Sequence, residues 1–300
     1  MRIKAFSSPE VSGEEKRMKG NGQQCAATGT GEFSFNTPLK DLKLTNHFLF
    51  EEVLCEPHIC RTVLEIILDR KISQVTFYNR EQQVDIHPSY RGICLDICFT
   101  DENNSVYNLE LQTANRSHIP RRSRHYQSMI DVKVMHKGEN DYGSFPDGVI
   151  VFICTFDLFG YGRYCYTFEN RCLEEPELSL GDGTMKIFLN TKGKNDSETS
   201  RELIEFLHCI EHTGSIQPES GRVREILERV KEVKKDMERE GRYMTVMERV
   251  NEIKAEGREE GILIGKVTVY AQLGLSVRQI AEKLDVSEEE VSRVLEETVK

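Results

Sequence analysis

The chain has 300 residues, 38% of them hydrophobic and 30% charged, with a formal net charge of −10. That length suits one sizeable core plus an appendage. No apolar run reaches the ~18 residues of a membrane span, and the first residues lack the apolar stretch of a secretory signal, so a cytoplasmic protein without membrane contact is expected.

Residues 1–43 begin rich in Gly, Ser, Thr and Glu without sustained periodicity, and read as a disordered tail. Helical spacing starts near Thr45 with Phe48, Leu49 and Val53. Pro57 then marks a second helix start, followed by Val63, Leu64, Ile67 and Leu68. Strand-like sequence follows at Ser73–Tyr78, Gly92–Thr100 and Val106–Gln112. A helix is expected over about Arg121–His136, with Tyr126, Met129, Ile130 and Val134 as its apolar stripe. Val149–Cys154 is continuously apolar, as in a central strand covered on both faces. Strands at Arg163–Phe168 and Met185–Asn190 and a helix near Glu198–His212 complete an α/β domain over 44–213.

The texture changes at Gly214–Gly221. Beyond it, 214–300 is dense in Glu, Lys and Arg, as in solvated helices. Val223, Ile226, Val230, Val233 and Met237 alternate by three and four, a short heptad seam that predicts a partner, and a homodimer through this helical tail is expected. Ser276 with Gln279 and Ser287 with Glu290 form capping boxes at the heads of two final helices. This pair is similar to a helix-turn-helix. Its second helix opens with Glu288, Glu289 and Glu290, however, which suits protein contact better than DNA.

The nine cysteines include no C-x-x-C, and Cys94, Cys98 and Cys154 lie in apolar strand-like runs. Reduced, buried thiols are expected rather than a disulfide framework.

The chemistry concentrates in Ile93–Gln112. Two strands flank the turn-rich Asp101–Asn104. Alternation puts Leu95, Ile97 and Phe99 on one face with Asp96 on the other, and Tyr107, Leu109 and Leu111 on one face with Glu110 and Gln112 on the other. Pairing Ile97 with Leu109 joins the apolar faces. It sets Leu95 opposite Leu111, Phe99 opposite Tyr107, Cys94 opposite Gln112 and Asp96 opposite Glu110. This register needs an odd-length loop with an Asn in the left-handed region. Two opposed carboxylates about 4.5–5.5 Å apart at Cβ repel. They call for a proton or a cation, and a divalent ion such as Mg²⁺ suits such oxygen ligands.

Net charge speaks against nucleic acid, but local charge decides the binding field. Arg116, Arg121, Arg122, Arg124, Lys133 and Lys137 face the single acid Asp131 within 115–137, together with His118, His125 and His136. Arg121, Arg124, His125 and Ser128 fall on one helical face suited to phosphate contacts with little sequence specificity. Tyr126 belongs either to that neighbourhood or to the core, and Gln127 is a further candidate for the site.

Asp96, a hairpin, then Glu110-Leu111-Gln112 resembles the D…(D/E)-x-K signature of PD-(D/E)XK nucleases in an E-x-Q form. With Leu44–Phe48, the run Arg121–Asp131 (RRSRHYQSMID), Tyr164–Gly193 and the tail near Arg258–Gly261, the chain is similar to the recombination-promoting nuclease and transposase family over 44–300. The resemblance implies a restriction-endonuclease-like α/β core, a mixed central sheet flanked by helices, with an all-α C-terminal appendage. It also implies a metal-dependent DNA endonuclease with a role in recombination, mobile elements or defence. Asp96, Glu110 and the Leu111 carbonyl would hold Mg²⁺ or Mn²⁺, and Gln112 would orient the attacking water. Arg121 or Arg124 would supply the charge that the usual motif lysine carries. At His47 many relatives have an acid, which leaves Glu51, Glu52 or Glu65 as candidates for a further carboxylate. Because Gln112 carries no charge, a catalytically inactive relative that binds DNA or a protein is the alternative reading. RNA as substrate also remains open.

Overall fold

A computed structural model describes residues 37–77, 82–84, 93–95, 97–115, 118–134 and 142–298. Most of the expected 1–43 tail lies outside them. Residues 37–43 are described and belong to the core, with Leu39 and Leu42 buried.

In chain order the elements are α1 (His47–Leu54), α2 (Pro57–Leu68), β1 (Val75–Phe77), β2 (Gln82–Val84), β3 (Ile93–Leu95), β4 (Ile97–Asp101), β5 (Val106–Gln112), α3 (Ile119–Val134), β6 (Gly148–Cys154), β7 (Cys165–Phe168), β8 (Thr184–Asn190), α4 (Arg201–Glu211), α5 (Gly221–Lys235), α6 (Met237–Gln272), α7 (Val277–Leu284) and α8 (Glu288–Thr298). Local chemistry sets several of these boundaries. The Asn46, Ser200 and Ser220 side chains each accept from the backbone N–H three residues on, opening α1, α4 and α5. Pro57 begins α2, which stops where Asp69 turns left-handed at φ 49°. The capping box at Ser276 and Gln279 is present at α7.

Six strands form one mixed sheet in the order β1-β4-β5-β6-β8-β7. The β5–β6 and β6–β8 pairs are parallel; β1–β4, β4–β5 and β7–β8 are antiparallel. The run 92–100, read as one strand, is two: β3 pairs with β2, while β4 joins the large sheet. Within β4 the hairpin register is the expected one, with Ile97 opposite Leu109 and Phe99 opposite Tyr107, whereas Leu95 and Cys94, expected opposite Leu111 and Gln112, pair with Gln82 and Gln83 of β2. The connection is odd in length, and Asn104 takes φ 62°. Asp101 fixes the turn by accepting from the N–H groups of Asn103 and Ser105 at 2.9 and 3.0 Å. Its other oxygen takes the Tyr107 hydroxyl at 2.9 Å and Arg70 at 3.2 Å. Burial and the Asp101 carboxylate push the Tyr107 phenol up to about 12.

Alternation gives the sheet two apolar faces. Ile97, Phe99, Tyr107, Leu109, Leu111, Val151 and Leu189 pack with α1, α2, α4 and α5. Val106, Ile150, Phe152, Cys154 and Phe188 pack with Ile119, Tyr126, Met129 and Ile130 of α3.

The seam of α5 departs from expectation. Val223, Ile226, Val230 and Val233 are buried in the same core as the sheet, so this stripe is filled by its own chain and is not a dimer surface. Met237, the last expected seam residue, is 85% exposed. A heptad stripe records only that a helix has one apolar side, and here the sheet's helical layer covers it. The packing boundary therefore lies well past residue 213. It extends into the first turns of α6, where Tyr243 is buried and its hydroxyl donates to the Thr37 carbonyl at 3.0 Å.

Further along, every α6 residue from 251 to 262 is exposed. Its end then joins α7 and α8 around Val267, Ile280, Ala281, Val291 and Val294. Among the described residues no helix is long and apolar enough to cross a membrane.

Candidate active site

Strand β5 sends Val106, Asn108, Glu110 and Gln112 to the side covered by α3, because their even positions alternate with the apolar Tyr107, Leu109 and Leu111. Glu110 is 1% exposed. A buried carboxylate is costly unless it is paired and hydrogen-bonded, and two neighbours meet that need. Asn108 Nδ2 donates to Glu110 Oε1 at 3.0 Å. On the other oxygen, Arg122 Nη2 lies 3.7 Å from Oε2.

Arg122 ties the site together. Its Nη1 donates to Gln112 Oε1 at 2.9 Å and its Nη2 to the Tyr126 hydroxyl at 2.8 Å. The guanidinium lies 5.3 Å from the Tyr126 ring centre and 5.9 Å from that of Phe152, within cation–π range. Gln112 Nε2 in turn donates to the Leu111 carbonyl at 2.9 Å. Thus α3 brings a permanent cation against the E-x-Q motif, flanked by the Tyr126 and Phe152 rings.

Asp96 lies outside the described residues, so its placement opposite Glu110 rests on the alternation of the sequence. Arg121, Arg124, His125 and Ser128 do share the exposed side of α3. Ser128 Oγ donates back to the Arg124 carbonyl at 3.1 Å. Gln127 is on a different side: it is 5% exposed and its Nε2 donates to Asp131 Oδ1 at 2.8 Å. It sits over Gly148, where an added Cβ would come within 2.1 Å of Gln127 Nε2, so a larger residue there would displace the end of Gln127. Burial raises the Asp131 carboxyl above its usual range, although Gln127 and Lys186 act in the opposite direction.

Two of the acids offered as a further carboxylate, Glu52 of α1 and Glu65 of α2, are engaged elsewhere. Glu52 accepts from Arg239 and Arg242 of α6 at 3.0 and 2.9 Å. Glu65 takes the Ile72 N–H at 3.0 Å and pairs with Lys71 and Arg222. Both helices lie on the sheet face away from α3, and these acids anchor α6 and α5 there.

Cys55, Cys60, Cys98, Cys154, Cys165, Cys172 and Cys209 form no disulfide. Cys154, beside Gln112 in the sheet, is pushed by burial to about 12, so it is a protonated thiol and no nucleophile. Among the described residues no three His, Cys, Asp or Glu side chains gather to hold a metal. The motif itself offers oxygens, namely the Glu110 carboxylate, the Leu111 carbonyl and the Gln112 amide oxygen, which now accept from Asn108, Gln112 and Arg122 respectively. That donor chemistry fits a hard divalent cation such as Mg²⁺ or Mn²⁺.

Two residues of the site escape a reading of the sequence. Arg122 has Arg121 and Arg124 as equally basic neighbours. Its signal is its place four residues before Tyr126, on the edge of the apolar stripe. Asn108 is found by counting two back from Glu110 along the strand.

No curated protein and no solved structure matches the chain. A family model described as PD-(D/E)XK nuclease family transposase matches residues 48–252, which include β4, β5, α3 and the whole six-stranded sheet. The chain belongs to the PD-(D/E)XK nuclease family of transposases.

Proposed function

We propose that this protein is a divalent-metal-dependent endonuclease that hydrolyses phosphodiester bonds of DNA in the cytoplasm. The observation that carries this reading is the buried Glu110 carboxylate, held by Asn108 on one side and approached by the Arg122 guanidinium on the other, at the motif strand of a family named for nucleases.

Asp96, Glu110 and the Leu111 carbonyl would hold the cation. When bound, it polarises the scissile phosphate and makes its water more acidic. Asn108 fixes the Glu110 carboxylate in one orientation. Arg122 faces the same space with a charge that cannot be lost, and takes the role that Arg121 or Arg124 was expected to fill: stabilising negative charge that builds on the phosphate. Gln112 is held by Arg122 and the Leu111 carbonyl and still keeps one acceptor lone pair and one amide hydrogen for a water. The exposed Arg121, Arg124, His125 and Ser128 would contact the backbone of DNA without reading its sequence.

The test is cleavage of supercoiled plasmid by the purified full chain with Mg²⁺, Mn²⁺ or a chelator. Metal-dependent nicking is expected in the wild type and absent in Asp96→Asn and Glu110→Gln, with far-ultraviolet dichroism unchanged. Cleavage at wild-type rate in both variants would refute the site. DNA binding without cleavage by the wild type under either metal would instead establish the inactive, binding relative.

A further inference from the structure

A second cleft, of about 270 Å³, opens between the start of α3 and the outer strands of the sheet. Three phenylalanines form it. Phe159 and Phe168 have ring centres 5.1 Å apart, and both meet Phe188 edge-on, at 5.3 and 5.6 Å. Phe168 ends β7, the edge strand, and is 44% exposed. The rim is polar, with Lys186, Glu169 and Thr184 around the rings.

The cleft lies on the same face of the sheet as the candidate active site, with Glu110, Phe152 and Phe188 in one row across β5, β6 and β8. Ser123, which lines it, follows Arg122 on α3. Phe188 stacks on Phe152 at 5.5 Å, and the Arg122 guanidinium lies over the other ring of that pair. A strand whose phosphate sits at Glu110 and Arg122 would therefore pass close to an open aromatic surface.

We propose that this cleft takes one unstacked nucleobase of the strand held at the Glu110 site, so that the enzyme prefers single-stranded or locally opened DNA; this rests on the nuclease reading. Every base has a π-face, and stacking on aromatic side chains is tolerant of sequence. The base edge needs donors and acceptors, which the Lys186 ammonium, the Thr184 hydroxyl and the Glu169 carboxylate supply. A base inside a duplex cannot enter without leaving the stack, which is why strand state decides occupancy.

The experiment uses the full chain without divalent metal and a single strand carrying one 2-aminopurine, read by fluorescence and anisotropy. Binding should quench the probe. Phe168→Ala should abolish the quench and weaken single-strand affinity roughly tenfold or more, the scale of one lost base stack. Duplex affinity should be unchanged, and Phe168→Trp should restore both signals. Because Phe168 lies half exposed on an edge strand, the fold should survive, which a thermal melt checks. Glu110→Gln should stop cleavage and leave the quench intact. A duplex that is bound and cut while the single strand shows no quench, or a Phe168→Ala protein identical to wild type, overturns the base pocket alone. Failure to bind either form of DNA overturns both readings.

Discussion

At the scale of single residues, Arg122 is the side chain on which most of the site depends. It contacts Glu110, Gln112 and the Tyr126 hydroxyl. Its removal leaves a buried carboxylate with one fewer partner, and since the guanidinium is 35% exposed and 3.7 Å away the loss is about 1–3 kcal/mol, below that of a fully buried pair. Arg122→Ala should therefore lower the melting temperature as well as cleavage, the latter by roughly 10²–10³-fold, as for loss of one transition-state donor. Arg122→Lys keeps the charge but not the fork that reaches two acceptors, and should fall between the two. Gln112→Lys placed in the Arg122→Ala background separates charge from architecture. The added ammonium stands where the family's usual lysine would, so cleavage should recover in part. A double variant no better than Arg122→Ala would mean that Arg122 serves the fold alone. The sequence showed a basic cluster in this helix but not which member turns inward. About 100° of rotation per residue separates Arg122 from Arg121, and only the position of the sheet decides between them.

At the scale of elements, the hairpin was the most legible part of the chain. Two alternating strands with apolar faces admit one register, and slipping by one residue would bury Glu110's face among leucines. β6 was equally clear, being apolar throughout and enclosed on both sides. The split between β3 and β4 was not, because both halves carry strand-like residues and only their different partners distinguish them. In α3, spacing gave the exposed face correctly, while Gln127 was drawn inward by Asp131 and by the space above Gly148. That exposed face carries a prediction. Arg121→Ala and Arg124→Ala should each weaken DNA binding equally across unrelated sequences and flatten the dependence of log affinity on log salt by about 0.9. An unchanged slope in both would leave this face merely solvated.

At the scale of the whole molecule, α5 lies beyond the expected boundary at 214 and still packs in the sheet's core. A charged, heptad-patterned sequence looks the same whether its apolar stripe meets another chain or its own sheet, and α5 meets its own. Glu52 extends the attachment, since this buried acid binds two arginines of α6 and carries that helix on the core. The apolar residues of α7 and α8 then form a separate small cluster with the end of α6. The net charge of −10 conceals an uneven distribution, with acids spread through these helices and a basic cluster gathered in and around α3.

Between its two attachments, α6 crosses residues 251–262 with all side chains in water, and a Cβ added at Gly257 or Gly261 would touch nothing. Such a stretch, about 18 Å at 1.5 Å per residue, has only its own hydrogen bonds to hold it. Each glycine lowers its helix stability by about 1 kcal/mol relative to alanine. Its amides should therefore exchange with deuterium through local opening, well before those near Tyr243 or Val267. Gly257→Ala and Gly261→Ala should each slow that exchange about fivefold, the ratio that 1 kcal/mol represents. The same opening would let the α7–α8 cluster reorient on the end of an intact catalytic core, a coupling rod that softens at its centre. Uniform protection along α6 would mean that the middle is covered in solution, and the only chain present in such a sample is a second copy of this one.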